Sequence, residues 1–269
     1  MDLRGASAES LSALTSELAA SASSGEAAGS VATGLFSASQ TLRAEAALRR
    51  ALSDASAPAE AKQGLARSVF SGHVAEGALA LVLSAAGRRW TKGSDLGLAL
   101  ERLSEIALVR SAGSDADRVV DELFAVERAV TENPSLRDAL SDPARSAADK
   151  GTLVDGLLDG KALPATVALV KQSLAGTYRT VTSALSAYQK VAAEVRNEGV
   201  ATVRVAAALS AEQQTRLAAV LAKQYGREIH LNTLIDPAVI GGIKIEIGDD
   251  VIDGSISNKL DDAQRALAG

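Results

Sequence analysis

Slid along itself by 88 positions, this sequence matches itself without a gap. ALRRALSDASAPAEAKQGLARSVF, beginning at Ala47, falls on SLRDALSDPARSAADKGTLVDGLL, beginning at Ser135, and nine of the 24 positions are identical. The run Ala51-Leu52-Ser53-Asp54 lies over Ala139-Leu140-Ser141-Asp142. The same shift pairs Leu35-Phe36 with Leu123-Phe124, Ala80-Leu81-Val82 with Ala168-Leu169-Val170, and Ser16-Glu17 with Ser104-Glu105. Two copies with so long a period read as one helical module used twice rather than as a solenoid. The segment from Leu96 to Arg110 closes the first copy and opens the second, which makes the junction a continuous helix.

The copies are helical because their apolar residues recur at i, i+3, i+4 and i+7. The sets are Leu11, Leu14 and Leu18; Val31, Leu35, Ala38 and Leu42; Leu79, Val82, Leu83 and Ala86; and Leu96, Leu100, Leu103 and Ala107. They continue with Val119, Leu123, Val126 and Val130; Leu163, Val167, Val170 and Leu174; and Val181, Leu185, Tyr188 and Ala192. Alanine, about a fifth of the 269 residues, is the strongest helix former and allows close helix packing. Up to about residue 197 no strand is expected.

Past Gly199 the period shortens to two. Val200 to Val205 (VATVRV) reads as a strand. Ser210 three residues before Gln213 is a capping box, opening a helix that should bury Leu217, Val220 and Leu221 and stop at Gly226. In IHLNTLI, Ile229, Leu231 and Thr233 share one face, with His230 and Asn232 on the other. Asp236-Pro237 ends that strand. IKIEI then turns Ile243, Ile245 and Ile247 inward, Val251-Ile252 adds a short strand, and a last helix carries Ile256, Leu260, Ala263 and Leu267. The expected class is mainly α, with two tandem helical bundles (1–110 and 111–197) before a small α+β unit (198–269) of β-α-β-β-α type.

Composition removes whole classes of function. Without cysteine there are no disulfides, thiolate metal sites or thiol nucleophiles. A net charge of −5 gives no general attraction to phosphate backbones, so no nucleic-acid partner is expected. The two histidines, His73 and His230, are far apart and read as surface residues. No window approaches the ~18–20 apolar residues of a membrane span, and Glu9 and Glu17 interrupt any leader-like run at the N-terminus. A soluble, reducing compartment is the default expectation.

The stretch IHLNTLIDPAVIGGIKIEIG, from Ile229 to Gly248, followed by GDDVIDGSISNKL, resembles the δ subunit of F-type ATP synthases. That family is the bacterial counterpart of the mitochondrial oligomycin-sensitivity-conferring protein. The matching pattern is an alternating strand, Asp236 at a turn, Gly241-Gly242, a second alternating strand, Gly248-Asp249, and then Asp253-Gly254-Ser255 leading into a helix. ALSAEQQTRLAAVLAKQYG, from Ala208, is similar to the family's strand-to-helix entry. Residues 112–197, with NPSLRDALSDP and a long helix from Tyr178 to Arg196, fit the family's single N-terminal bundle; residues 1–110 are a second copy that the shorter pattern lacks.

The resemblance implies a non-catalytic stator subunit, with no catalytic, cofactor or metal residues, that joins the α3β3 head to the peripheral b stalk. A bundle would hold the N-terminal segments of α, with residues 112–197 the first choice. The C-terminal unit would meet the ends of b, on the cytoplasmic face of the cell membrane and touching it only through the complex. The glycines and Asp253 and Ser255 read as fold-keeping: glycine where a side chain would block the backbone, Asp and Ser as acceptors for turn and helix-start amides.

Sharper readings lose to plainer ones. Asp249, Asp250, Asp253, Asp261 and Asp262 suggest calcium, but Val251 occupies a ligand position of an EF-hand loop, so a turn and a solvated helix face are favoured. DGLLDGKAL, from Asp155, lacks the first glycine and the final Ser or Thr of a phosphate loop. Trp90, beside Arg88 and Arg89, could anchor a partner; the repeat sets Tyr178 opposite it, which favours packing. The remaining rivals are a helical adaptor or regulator outside the ATP synthase and an enzyme, the latter disfavoured by the missing side-chain constellations.

Overall fold

The computed structural model describes residues 3–21, 25–196, 199–226, 228–236, 239, 242–247 and 250–253. Their contacts separate into two compact units, residues 1–192 and 193–269.

The first unit is all helix: α1 (Ala6–Ser21), α2 (Gly25–Ala44), α3 (Ala46–Ser53), α4 (Ala59–Phe70), α5 (Glu76–Gly87), α6 (Gly93–Ser111), a 3-10 turn (Gly113–Asp115), α7 (Ala116–Glu132), α8 (Pro134–Ser141), α9 (Ala147–Leu158), α10 (Pro164–Ser173) and α11 (Val181–Val195). The self-match is visible in these bounds. Shifted by 88, α3 and α4 land on α8 and α9 residue for residue, and α1 lands within α6. The sixth helix of the first copy is therefore also the first helix of the second. Pro134 and Pro164 open α8 and α10, where a missing N–H costs nothing and φ is already set.

Serving two bundles leaves α6 without a solvent side. Leu96, Leu100, Leu103 and Ala107 are buried as their spacing predicts, but so are Glu101, Ser104, Glu105 and Leu108. Its densest packing is against α2, and α1, α3, α5, α7 and α10 also meet it. Ser39 on α2 donates its hydroxyl to the Gly97 carbonyl at 2.9 Å. Nearby, α2 crosses the start of α5 so closely that a Cβ on Gly34 would lie 2.6 Å from the Ala78 Cβ and 3.1 Å from the Val74 Cβ. We expect Gly34→Val to lower stability by about 1–3 kcal/mol through overpacking, read as a fall in the thermal midpoint.

One local expectation is corrected. The last helix of the unit starts at Val181 rather than Tyr178: the Ser183 amide donates to the Thr180 hydroxyl at 3.1 Å and the Thr180 amide to the Ser183 hydroxyl at 3.2 Å, a reciprocal cap that sets its first turn. Residues 174–180 consequently form a non-helical turn between α10 and α11. Trp90 is buried, and its indole N–H donates to the Ala85 carbonyl at 3.0 Å.

In the second unit, β1 (Gly199–Val205), α12 (Ala211–Tyr225), β2 (Ile229–Ile235), β3 (Ile243–Ile247) and β4 (Asp250–Asp253) build a mixed sheet in the order β2-β1-β3-β4. β1 and β2 run parallel around the α12 crossover; β3 and β4 add antiparallel on the other edge of β1. Alternation puts Ala201, Val203, Val205, Ile229, Ile245 and Ile247 into one core with Leu221. Ser210 and Gln213 close the capping box at α12, and Gly226 ends the helix at a φ of 69°. Val220 is the exception: it is 56% exposed, because the Leu217–Leu221 stripe faces the sheet and position 220 is turned off it. The expected final helix lies outside the described residues.

Candidate functional site

A groove of about 640 Å³ opens where the two copies meet. One wall is the small-residue start of α2 (Gly29, Ser30 and Thr33), the floor is the end of α6 (Leu108 and Ala112), and the far wall is the start of α10 (Leu163, Ala165 and Ala168). Leu108 and Ala165 are buried; Glu26 and Asp115 stand exposed at the mouth. With an apolar floor and far wall and small hydroxyl side chains on the α2 side, such a trough suits the apolar stripe of an amphipathic helix. It offers no nucleophile–base pair.

Beneath the 174–180 turn lies a second polar feature. Glu101 and Glu105, one turn apart on α6, are both 0% exposed. The Thr177 amide donates to Glu101 Oε1 at 2.8 Å, while Glu101 Oε2 is buried without a hydrogen-bond partner. Glu105 accepts from Arg102 at 3.1 Å and from the Tyr178 hydroxyl at 3.2 Å. Ser104 donates to Gln172 Oε1 at 2.9 Å. Desolvation pushes both carboxyls upward, Glu105 to about 7 despite Arg102. Farther along, Glu127 is raised by burial and accepts from Gln189 at 2.6 Å. The spacing of α6 gave no signal for Glu101 or Glu105, since both fall outside its apolar stripe; their burial follows from the helix being shared.

The residues singled out by the C-terminal pattern fall as follows. The Asp236 amide donates to the Val205 carbonyl at 2.8 Å, and its carboxylate lies 3.9 Å from Arg204. Gly242 has a φ of 83°, where a side chain would be strained. Asp253 closes β4 opposite Lys244. Gly241, Gly248, Asp249, Gly254 and Ser255 lie outside the described residues. Of the acidic cluster, Asp250 is in a strand and accepts from the Tyr225 hydroxyl at 3.3 Å. Among the described residues, no cluster of His, Asp or Glu is arranged to hold a metal, and no helix is long and apolar enough to cross a membrane. His73 is exposed in a turn, and DGLLDGKAL spans the end of α9 and the turn after it.

The family model for the ATP synthase delta (OSCP) subunit matches residues 106–267. The chain belongs to that family. An ATP synthase subunit delta of Nocardioides sp. is 50% identical over 99% of this chain and 98% of its own length. Those of Kineococcus radiotolerans and Streptomyces coelicolor are 41% and 40% identical, over 90% and 99% of this chain and 89% and 98% of their own lengths. Relatives thus include the first copy as well as the second. One chain of the Toxoplasma gondii mitochondrial ATP synthase hexamer aligns at 22% identity with a TM-score of 0.36, over 61% of this chain and 95% of that one, a likeness too slight to argue from. Members of the delta family are structural, non-catalytic subunits of the ATP synthase.

Proposed function

We propose that this chain is the stator link that keeps the α3β3 head from turning with the central shaft. The N-terminal segments of α dock on the second copy (112–197), and the C-terminal unit (198–269) meets the b stalk on the cytoplasmic face of the membrane. The observation that carries this reading is the match of the family model to both of those segments. The groove between α6 and α10 supports it, being open, apolar and of the size that a helix stripe fills. The first copy extends the reach toward the stalk.

Removing residues 1–95 would strip α2 from α6 and expose a face that is otherwise packed, so the test keeps the whole chain. Calorimetric titration of the full chain with a peptide of the α N-terminus should show one-to-one binding. Ala168→Glu, which sets a carboxylate in the apolar wall, should weaken it by at least about tenfold while leaving the far-UV spectrum unchanged. Equal affinity in the variant, or no heat with the parent, would remove this groove as the docking site. Cross-linking within the purified holoenzyme then places the C-terminal unit against b or elsewhere.

A further inference from the structure

The two copies differ most where their chemistry is most expensive. In the first, Glu17 pairs with Arg88 at a half-exposed site. The counterparts 88 residues later are Glu105 and Gly176, so the second copy has kept the acid and lost that cation, and Glu105 is paired instead by Arg102 of its own helix. It has also gained an acid, because Glu101 stands where the first copy has Ala13. Gly176 leaves room for that acid: a Cβ there would lie 2.6 Å from Glu101 Oε1.

Around the pair, cations are few and already engaged. Arg102 is on α6 itself and meets Glu105. Arg43 reaches toward Glu101 from α2, but its guanidinium donates to the Ala175 carbonyl and to Gln40. Gln40 also donates to the Ala175 carbonyl, at 2.6 Å. Tyr178 and Tyr188 approach from the turn and from α11, their rings 5.5 Å apart in an edge-to-face contact. The Tyr188 hydroxyl, Gln172 Nε2, Thr177 Oγ1 and Glu101 Oε2 are buried without hydrogen-bond partners. A buried carboxylate oxygen left in this way favours the neutral acid, which carries no charge to desolvate.

We propose that Glu101 and Glu105 form a proton-operated latch that clamps the 174–180 turn of the second copy onto α2 and α6, seated while the pair holds a proton and loosened when it leaves. The turn is gripped from two sides, by Gln40 and Arg43 of the first copy and by Glu101 of the shared helix. An ionised Glu101 is the stronger acceptor for the Thr177 amide, but two adjacent buried negative charges repel and lack hydration, and lifting the turn off α6 is what lets water reach them. The consequence is a seam between the copies that is tight in acid and slack in base. The inference stands apart from the docking reading, since it concerns contacts within the chain.

The test is amide hydrogen exchange on the full-length protein at about pH 6 and about pH 8.5, corrected for intrinsic exchange rates. Protection of residues 174–180 should fall by about tenfold or more across that interval, with α4 as the internal control. In the double variant Glu101→Gln, Glu105→Gln, which mimics the neutral acids, protection should stay high and flat. Infrared titration of the parent should show a buried carboxylic-acid band near pH 6 that is gone near pH 8.5. Protection in the parent that does not change with pH, a double variant that keeps the parent's dependence, or the absence of that band would each overturn the latch.

Discussion

Ala107→Pro should unfold both copies together. Ala107 is 0% exposed in the fourth turn of α6, where proline removes the amide bonded to the Leu103 carbonyl and drives its ring into that group. The cost is about 3 kcal/mol or more, against a typical net stability of about 5–15 kcal/mol for a domain. Because α6 supplies the core face for α2 on one side and for α7 and α10 on the other, the loss does not stay in one bundle. Urea unfolding followed by far-UV circular dichroism should show one transition at a clearly lower midpoint. If exchange protection fell in α1–α5 and remained intact in α7–α10, the shared core would be refuted.

The second large effect is on the pH dependence of stability. Glu105 ordinarily titrates at 4.5 and does so at about 7 in the folded chain, so the native state binds this proton more tightly than the unfolded state. Its contribution is complete below about pH 4.5, declines as pH rises through the window to about 7, and is lost above it. The size is on the order of 3 kcal/mol. Glu105→Gln should abolish that portion of the dependence and exceed the parent in stability above neutrality. The measurement is the difference in urea midpoint between parent and variant at a series of pH values, in which the other carboxyls cancel. A constant difference across the window would show that Glu105 does not carry the proton.

Much of the architecture could be read in the chain because its signals were local or repeated. The match between Ala47–Phe70 and Ser135–Leu158 sets the two segments in register, and α3 and α4 fall on α8 and α9 at that shift to the residue, although no periodicity marks these short helices. The Ser210–Gln213 cap and the alternation of Ile243, Ile245 and Ile247 are equally local. What escaped were properties that tertiary context sets. Spacing assigns Glu101 and Glu105 to water, and only the wrapping of α6 by two bundles places them inside. Val220 fits a helical stripe by identity yet faces out, since one sheet can cover only part of α12. The groove is made by α2, α6 and α10 together, from residues far apart in the chain, and no short motif encodes it.

Because one helix counts twice, the module has an arithmetic of its own. Two copies here use eleven helices, α1 to α11, rather than two full sets. Lengthening such a chain by another copy would require five new helices and the existing last one, spliced in at an 88-residue increment. An insertion of six helices would leave two end faces competing for one neighbour. Growth and shrinkage of this subunit are thereby quantised by its geometry, in steps of 88 residues that leave every helix in register wherever in the period the join falls.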